Sequence, residues 1–287
     1  MKKFVLIGAA GYVAPKHMKA IKEMKGELVA ALDPHSSVGI IDSYFPDCDF
    51  FTEFERFDRY CSKRHDIDYV VICSPNYLHD SHCRFGLRLG ANVICEKPLV
   101  LNERNLDGLS EMEEQYGKKI NSILQLRLNE DLIKLRSKIQ NDIVDTRPSL
   151  IYHTPRGNWY YNTWKSESIK SGGLCTNIGI HLFDMLTWIY GYPTTTEVIN
   201  IYSNKLGVHT VKGTLYFSSK VAIDFDLSIE KSNKPTRILN IGGYVHSFTK
   251  GFTDLHTKSY FEILEGRGFG IEDVRNAIRL CEDIRRY

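Results

Sequence analysis

The chain has 287 residues, a formal net charge of +2, and 43% hydrophobic and 11% aromatic content. That length supports two domains, each with its own core. The balanced charge, without a long Lys/Arg run, excludes a dedicated nucleic-acid binder. No apolar run reaches transmembrane length, and the run after Met1-Lys2-Lys3 is too short for a signal peptide. Seven scattered cysteines, never spaced C-x-x-C, argue against a disulfide framework or a zinc site; free thiols in a reducing cytoplasm fit best.

Phe4–Ile7 is a continuous apolar run, as expected for a strand buried on both faces of a parallel sheet. It runs into Gly8-Ala9-Ala10-Gly11-Tyr12-Val13-Ala14 and then a helical pattern through Met18, Ile21 and Met24. Glycines let the backbone turn sharply and approach a pyrophosphate at the helix N-terminus. The spacing is G-x-x-G-x-x-A rather than G-x-G-x-x-G, so its weight comes from opening a βαβ unit. Gly8, Ala10, Gly11, Tyr12 and Val13 become candidate cofactor contacts. The second strand, Leu28–Leu32, ends in Asp33. An acid there accepts from adenosine ribose hydroxyls and repels a 2′-phosphate, which predicts NAD over NADP. The competing reading is a turn aspartate before Pro34.

A short strand and helix are expected over 50–60 and a buried strand over 68–73, opening into Ser74-Pro75-Asn76-Tyr77-Leu78-His79 and a helix carrying His82. The next strand, Val93–Cys95, delivers Glu96-Lys97-Pro98. Proline ends a ladder, so Lys97 stands at a strand's carboxyl end, where open α/β sheets bind ligands. A surface Lys-Pro turn is the plain alternative. A helix over 103–116 and a sixth strand over 120–127, with Gln125 near its carboxyl end, complete an α/β Rossmann domain, residues 1–125.

The pattern then changes. A helix over 129–140 precedes period-two segments at 209–217 and 220–227, with further strands at 149–153, 197–203, 236–241 and 244–248. This predicts an α+β domain, residues 126–287, with an open, mostly antiparallel sheet. The last helix, 271–286, is free to pack back on the first domain. Between 154 and 190 lie an aromatic loop and Ser171-Gly172-Gly173-Leu174-Cys175-Thr176-Asn177. Thr176 or Asn177 could cap a helix on which Asn177, His181 and Asp184 share one face. A core histidine bonded to a carboxylate is the competing reading of that stripe.

Ser74-Pro75-Asn76-x-x-His79, Glu96-Lys97-Pro98 and Asn177-x-Gly179-x-His181-x-x-Asp184 together resemble the Gfo/Idh/MocA oxidoreductases over essentially the whole chain. A narrower set looks like the bacterial NAD-dependent 3-dehydrogenases of UDP-N-acetylglucosaminuronate, which serve the synthesis of diamino-uronic sugars for surface polysaccharide. It comprises Gly8–Pro15, Val38–Ser43, Arg156–Tyr160 with Trp164-Lys165, Gly251–Thr257 and Gly266–Ile271. The family's usual aspartate is Asn177 here and its third glycine is Leu174; the narrower group is similar in carrying asparagine.

The resemblance implies oxidation of a sugar hydroxyl, which needs a hydride acceptor at carbon and a base at oxygen. His181 is the candidate base, since its ordinary pKa lies near neutrality. Lys97 would hydrogen-bond the same oxygen, or act as the base itself if burial beside a cationic nicotinamide lowered its pKa. Glu96 would orient ribose or Lys97. Trp164-Lys165 matches a family Trp-Arg pair that approaches the cofactor. Expected cofactor contacts thus extend to Ser74, Pro75, Asn76, Leu78, His79, Glu96, Lys97, Gln125, Trp164 and Lys165. Expected substrate contacts are Lys97, Arg156, Asn158, Trp159, Asn177, His181 and His256. No metal, membrane or nucleic-acid partner is expected. A homodimer or homotetramer through the apolar face of the open sheet, in the cytoplasm, is. Alternatives are UDP-N-acetylglucosamine or another sugar alcohol as substrate, a non-catalytic NAD(P)-binding regulator, and a hydrolase or metalloprotein using His79, Asp80 and His82.

Overall fold

The computed structural model describes residues 1–141, 147–204, 207–218, 221–248 and 254–287. Lys220, expected to open a strand, and Gly251, Phe252 and Thr253 of the resemblance lie outside them. The chain forms two compact units, Met1–Leu124 with Asp254–Val274, and Gln125–Thr253 with Arg275–Tyr287.

In the first unit β1 (Lys3–Ile7), α1 (Ala14–Glu23), β2 (Glu27–Leu32), β3 (Asp49–Phe51), α2 (Phe54–Ser62), β4 (Tyr69–Ile72), α3 (His79–Arg88), β5 (Asn92–Cys95), α4 (Arg104–Tyr116) and β6 (Ile120–Ser122) follow one another. The strands are parallel in the order β3-β2-β1-β4-β5-β6. The order reverses between β1 and β4, which opens a ligand crevice at their carboxyl ends. Val5, Leu6, Val70 and Val71 are wholly buried, because both faces of the sheet are covered.

β6 stops at Ser122, short of the expected 120–127. Its neighbour β5 ends at Cys95, whose carbonyl takes the Ile123 N–H, and the Leu124 N–H turns back to Ser122 O. With no partner left, Gln125 opens a 3₁₀ turn, Gln125–Leu128, instead of ending a strand.

The second unit contains α5 (Glu130–Asn141), β7 (Ser149–His153), the short turns α6 (Asn158–Tyr161) and α7 (Ser168–Ser171), α8 (Ile180–Tyr190), β8 (Thr195–Asn204), β9 (Gly207–Ser218), β10 (Val221–Ser228), β11 (Thr236–Ile241) and β12 (Tyr244–Ser247). Asn129 starts α5 by accepting the Asp131 and Leu132 N–H groups. The sheet runs β12-β11-β7-β10-β9-β8, antiparallel except for β7 beside β10. Ile223, Phe225 and Leu227 are buried while Asp224 and Asp226 face outward. Phe225 meets Phe183 of α8 edge-on at 5.4 Å, and Gly179 lies so close that a Cβ there would come to 2.7 Å from Leu227. The apolar face expected to drive self-association is therefore covered within the unit by α8. The other face carries ion pairs, Lys212–Asp226 and Arg147–Asp224, each at 2.8 Å.

After the second sheet the chain returns. α9 (Leu255–Leu264) packs on α1, where Tyr260 and Ile263 join the core of Phe4, Met18 and Ile21. α10 (Ile271–Arg285) spans the division at Val274. Residues 254–274 thus interrupt the expected 126–287 domain, because the apolar side of α9 completes the first unit's core. Among the described residues no helix is long and apolar enough to cross a membrane.

Candidate active site

The glycine loop of the first unit is set by close backbone approach. Gly8 has φ +93°, and a Cβ would come to 2.5 Å from Cys73 C and 2.6 Å from Ser74 N. Gly11 N–H donates to Gly8 O and Ala14 N–H to Gly11 O, which turns the chain into α1. Val13 is half-buried at the helix start and Tyr12 is 86% exposed beside Lys16. Asp33 makes the turn contact of its competing reading and a second contact with the glycine loop. Its Oδ1 accepts the His35 N–H, a turn contact, while Oδ2 accepts the Ala10 N–H, both at 2.9 Å. Each carboxylate oxygen retains a further lone pair for a ribose hydroxyl. The N–H of Ala10, an expected cofactor contact, is spent on Asp33.

Loop residues after β4 are largely engaged with protein. The His79 ring nitrogens lie 2.6 Å from Pro98 O and 2.8 Å from Ser74 O, tying the loop after β4 to the loop after β5. Ser74 Oγ meets His82 Nδ1 at 2.9 Å, and burial lowers the His82 pKa to about 4. Asp80 pairs with Arg84. His79, Asp80 and His82 are each spent separately, which removes the basis for a hydrolase or metal reading of that stretch. Pro75 is extended, and Asn76 and Leu78 belong to a 3₁₀ turn after it.

At the carboxyl end of β5, Glu96 is only 6% exposed. His17 Nε2 donates to its Oε1 at 2.9 Å and His256 Nε2 donates to the same oxygen at 3.0 Å. Tyr260 OH donates to His17 Nδ1 at 2.8 Å. This assignment follows from the acceptor-only character of an ionised carboxylate. Burial alone would push the Glu96 carboxyl up, but the two imidazole donors outweigh it and hold the group well below the usual range. Burial lowers the His17 pKa. Two imidazoles and a carboxylate form a donor set that suits a divalent cation; here both ring nitrogens are turned on the carboxylate. Lys97 follows, half-buried, before a cis Pro98. His256, expected on the substrate, is 7% exposed and bound to Glu96. His17 and Tyr260 escaped the sequence reading. Their signal was a lone histidine on the buried side of α1 and a His256–Tyr260 spacing of one helical turn.

In the second unit, Cys175–Gly179 forms a wider π-type turn and α8 begins at Ile180, so neither Thr176 nor Asn177 caps a helix. The Asn177 amide donates instead to Tyr160 OH at 2.9 Å. Asp184 accepts from the Arg127 guanidinium, with contacts of 2.8 and 3.2 Å. Arg127 was missed although it is a single charge inside an apolar run. His181 is half-buried on α8. Asn158 and Trp159 are exposed, while Arg156, Trp164 and Lys165 are half-buried. The Lys165 ammonium lies over the Trp159 and Trp164 rings at 5.6 and 5.5 Å. Burial first, and then the Arg156 charge, lower its pKa. Lys165, expected on the cofactor, thus sits with Trp164, expected there too, and with Trp159 and Arg156, expected on the substrate. It also lines a cavity of about 320 Å³ with Tyr160, Tyr161 and Gly173.

Comparison with known proteins agrees with this architecture. Residues 2–123 match the oxidoreductase family's NAD-binding Rossmann fold, and residues 140–273 match its C-terminal alpha/beta domain. The WlbA (WbpB) dehydrogenase of Thermus thermophilus, solved with NAD and alpha-ketoglutarate, is 40% identical, with a TM-score of 0.93 over 99% of this chain and 95% of that one. The same enzyme with NAD and UDP-GlcNAcA gives 39% and 0.91 over the same shares. Among curated relatives, the 2,7-anhydro-N-acetylneuraminate hydratase of Mediterraneibacter gnavus is 27% identical over 66% of this chain. The D-glucoside 3-dehydrogenase of Escherichia coli is 25% identical over 49%. The matched stretches span only 49% and 40% of those two proteins. With both family domains matched and a full-length relative at 40% identity, the chain belongs to the Gfo/Idh/MocA oxidoreductase family.

Proposed function

We propose that the protein is an NAD-dependent dehydrogenase that oxidises the 3-hydroxyl of UDP-N-acetylglucosaminuronate to the 3-keto sugar. The observation that carries this is the full-length likeness to a dehydrogenase whose complexes hold NAD and UDP-GlcNAcA. The Escherichia coli relative, named as a 3-dehydrogenase, supports the position oxidised. The residues fit a dinucleotide: Gly8 leaves no room for a Cβ, a ten-residue helix starts behind it, and Asp33 ends β2. Gly8, Gly11 and the first turn of α1 would hold the pyrophosphate, and Asp33 the adenosine ribose.

Bound NAD supplies the hydride acceptor. His181 removes the hydroxyl proton. Lys97, as an ammonium, donates to the same oxygen and stabilises its growing negative charge. Arg156 binds the sugar carboxylate or the diphosphate through its planar fork, with Lys165 beside it. Trp159 offers a face for the uracil, and Asn177, held by Tyr160, takes a sugar hydroxyl. We place the protein in the cytoplasm. Self-association runs through the outer strands β8 and β12, which expose Ile199, Tyr202, Tyr244 and Val245.

The test is incubation with NAD and, in turn, UDP-N-acetylglucosaminuronate and UDP-N-acetylglucosamine, following NADH absorbance and product mass. Turnover that requires the carboxylate, with a product lacking two hydrogens, supports the proposal. Equal turnover of the uncharged sugar moves the substrate to the alternative. NAD binding without turnover of any sugar leaves a regulator.

A further inference from the structure

Glu96 poses a question that the proposed reaction does not answer. Its Oε1 holds two N–H donors, and Oε2 has no hydrogen-bond partner among the described residues. Yet Oε2 is not among the buried polar atoms that lack a partner, so it keeps some accessible surface. A carboxylate so nearly buried is costly unless it is hydrogen-bonded, and only one of its two oxygens is. A merely structural contact between α1, α9 and β5 could be made of leucines.

We infer that His17, His256 and Tyr260 are positioning residues that keep Glu96 an anion by saturating Oε1, leaving Oε2 as the acceptor offered to the nicotinamide nucleoside of the dinucleotide. The inference rests on the NAD reading above. The proton order is fixed along the chain of contacts. Tyr260 donates to His17 Nδ1, which selects the tautomer with its proton on Nε2, and that proton goes to Glu96. The three elements matter as well. α1 carries the glycine loop, β5 carries Lys97, and α9 closes the network over both.

The groups facing Glu96 can be named. His17 comes from α1, and His256 and Tyr260 from α9. Cys73 follows β4, Cys95 sits on β5 with its Sγ on Glu96 O, and His79 feels the charges of both Glu96 and Lys97. Burial keeps Cys73 and Tyr260 protonated. The two Nε2–H groups are therefore the donors that hold the carboxylate.

NAD affinity should be measured by calorimetry from about pH 5 to 8, with melting temperature alongside. The wild-type affinity is expected to stay flat, because Glu96 remains ionised throughout. His256→Leu removes one donor, lets burial raise the carboxyl pKa, and adds an acid limb that falls towards the affinity of Glu96→Gln as pH drops through it. His256→Gln keeps an N–H and should restore the flat profile. Glu96→Gln should weaken binding roughly tenfold or more at every pH, with no limb. A flat His256→Leu profile, even with a lowered melting temperature, overturns the inference. So does a stoichiometric divalent metal in the wild-type protein. If the wild type does not bind NAD, the dinucleotide reading fails. Nitrogen NMR of the ligand-free protein then judges the network, and a His17 ring protonated at Nδ1 overturns it.

Discussion

Two of the buried carboxylates, Asp184 in the second unit and Glu96 in the first, are handled differently. In the second unit Asp184 meets the Arg127 guanidinium at two points, so opposite charges cancel in place. In the first, Glu96 meets two imidazole N–H groups, of which His17 is kept neutral by burial, and the negative charge survives. Cancelled charge holds structure together and does little else. Surviving charge at the end of a strand, next to a lysine and beside the β1–β4 crevice, is what a site needs. Glu96 thus keeps its charge, whereas Asp184 has its charge answered by Arg127.

The largest expected effect tests the functional side. Lys97→Ala and His181→Ala, one from each unit, should each lower turnover by roughly 10²–10⁴-fold while NAD still binds. A near-normal rate in either removes that residue from the mechanism. On the scaffold side, Arg127→Leu should cost about 3–5 kcal/mol by removing the cation that answers Asp184. Denaturant titration would show it, and the double variant with Asp184→Leu should recover most of the loss. An intact melting curve for the single variant would break the contrast between the two carboxylates.

A smaller effect concerns acid. The His82 pKa is near 4 when folded and near 6.5 when unfolded. The unfolded chain therefore takes the proton first. His82's contribution is complete above about pH 6.5, shrinks as pH falls, and levels off below about 4, a loss of roughly 3 kcal/mol. His82→Asn should flatten that part of the stability profile, while an unchanged acid limb assigns it elsewhere. Smallest is Asp33→Ser, which should narrow the preference for NAD over NADP by about tenfold. Equal efficiency with both cofactors in the wild type would remove Asp33 from that role.

Much of the scaffold was legible because it follows from local pattern. The apolar runs at Phe4–Ile7 and Tyr69–Ile72 became central parallel strands, and the alternation at Ile223, Phe225 and Leu227 became one buried face. Gly8 was legible for its backbone freedom, and the structure adds the Cys73 carbonyl that leaves no space for a side chain. What escaped was non-local. His256 reaches Glu96 across 160 residues of sequence, and no periodicity in α9 says which core it joins. The end of β6 is set by where its neighbour stops. The π-type turn at Cys175–Gly179 moves the start of α8 to Ile180, past the caps expected at Thr176 or Asn177. A lone Arg127 gave no hint that it would answer Asp184.

The return of α9 to the first unit has a consequence for synthesis. A ribosome releases the chain from its N-terminus, so the Rossmann strands emerge long before Tyr260 and His256 do. Until then the nascent unit lacks a buried aromatic ring of its core and a donor for Glu96. A fragment cut after Leu124 would inherit the same vacancy, and it should bind NAD poorly even though every glycine-loop residue is present. The dinucleotide half is thus encoded first but finished almost last.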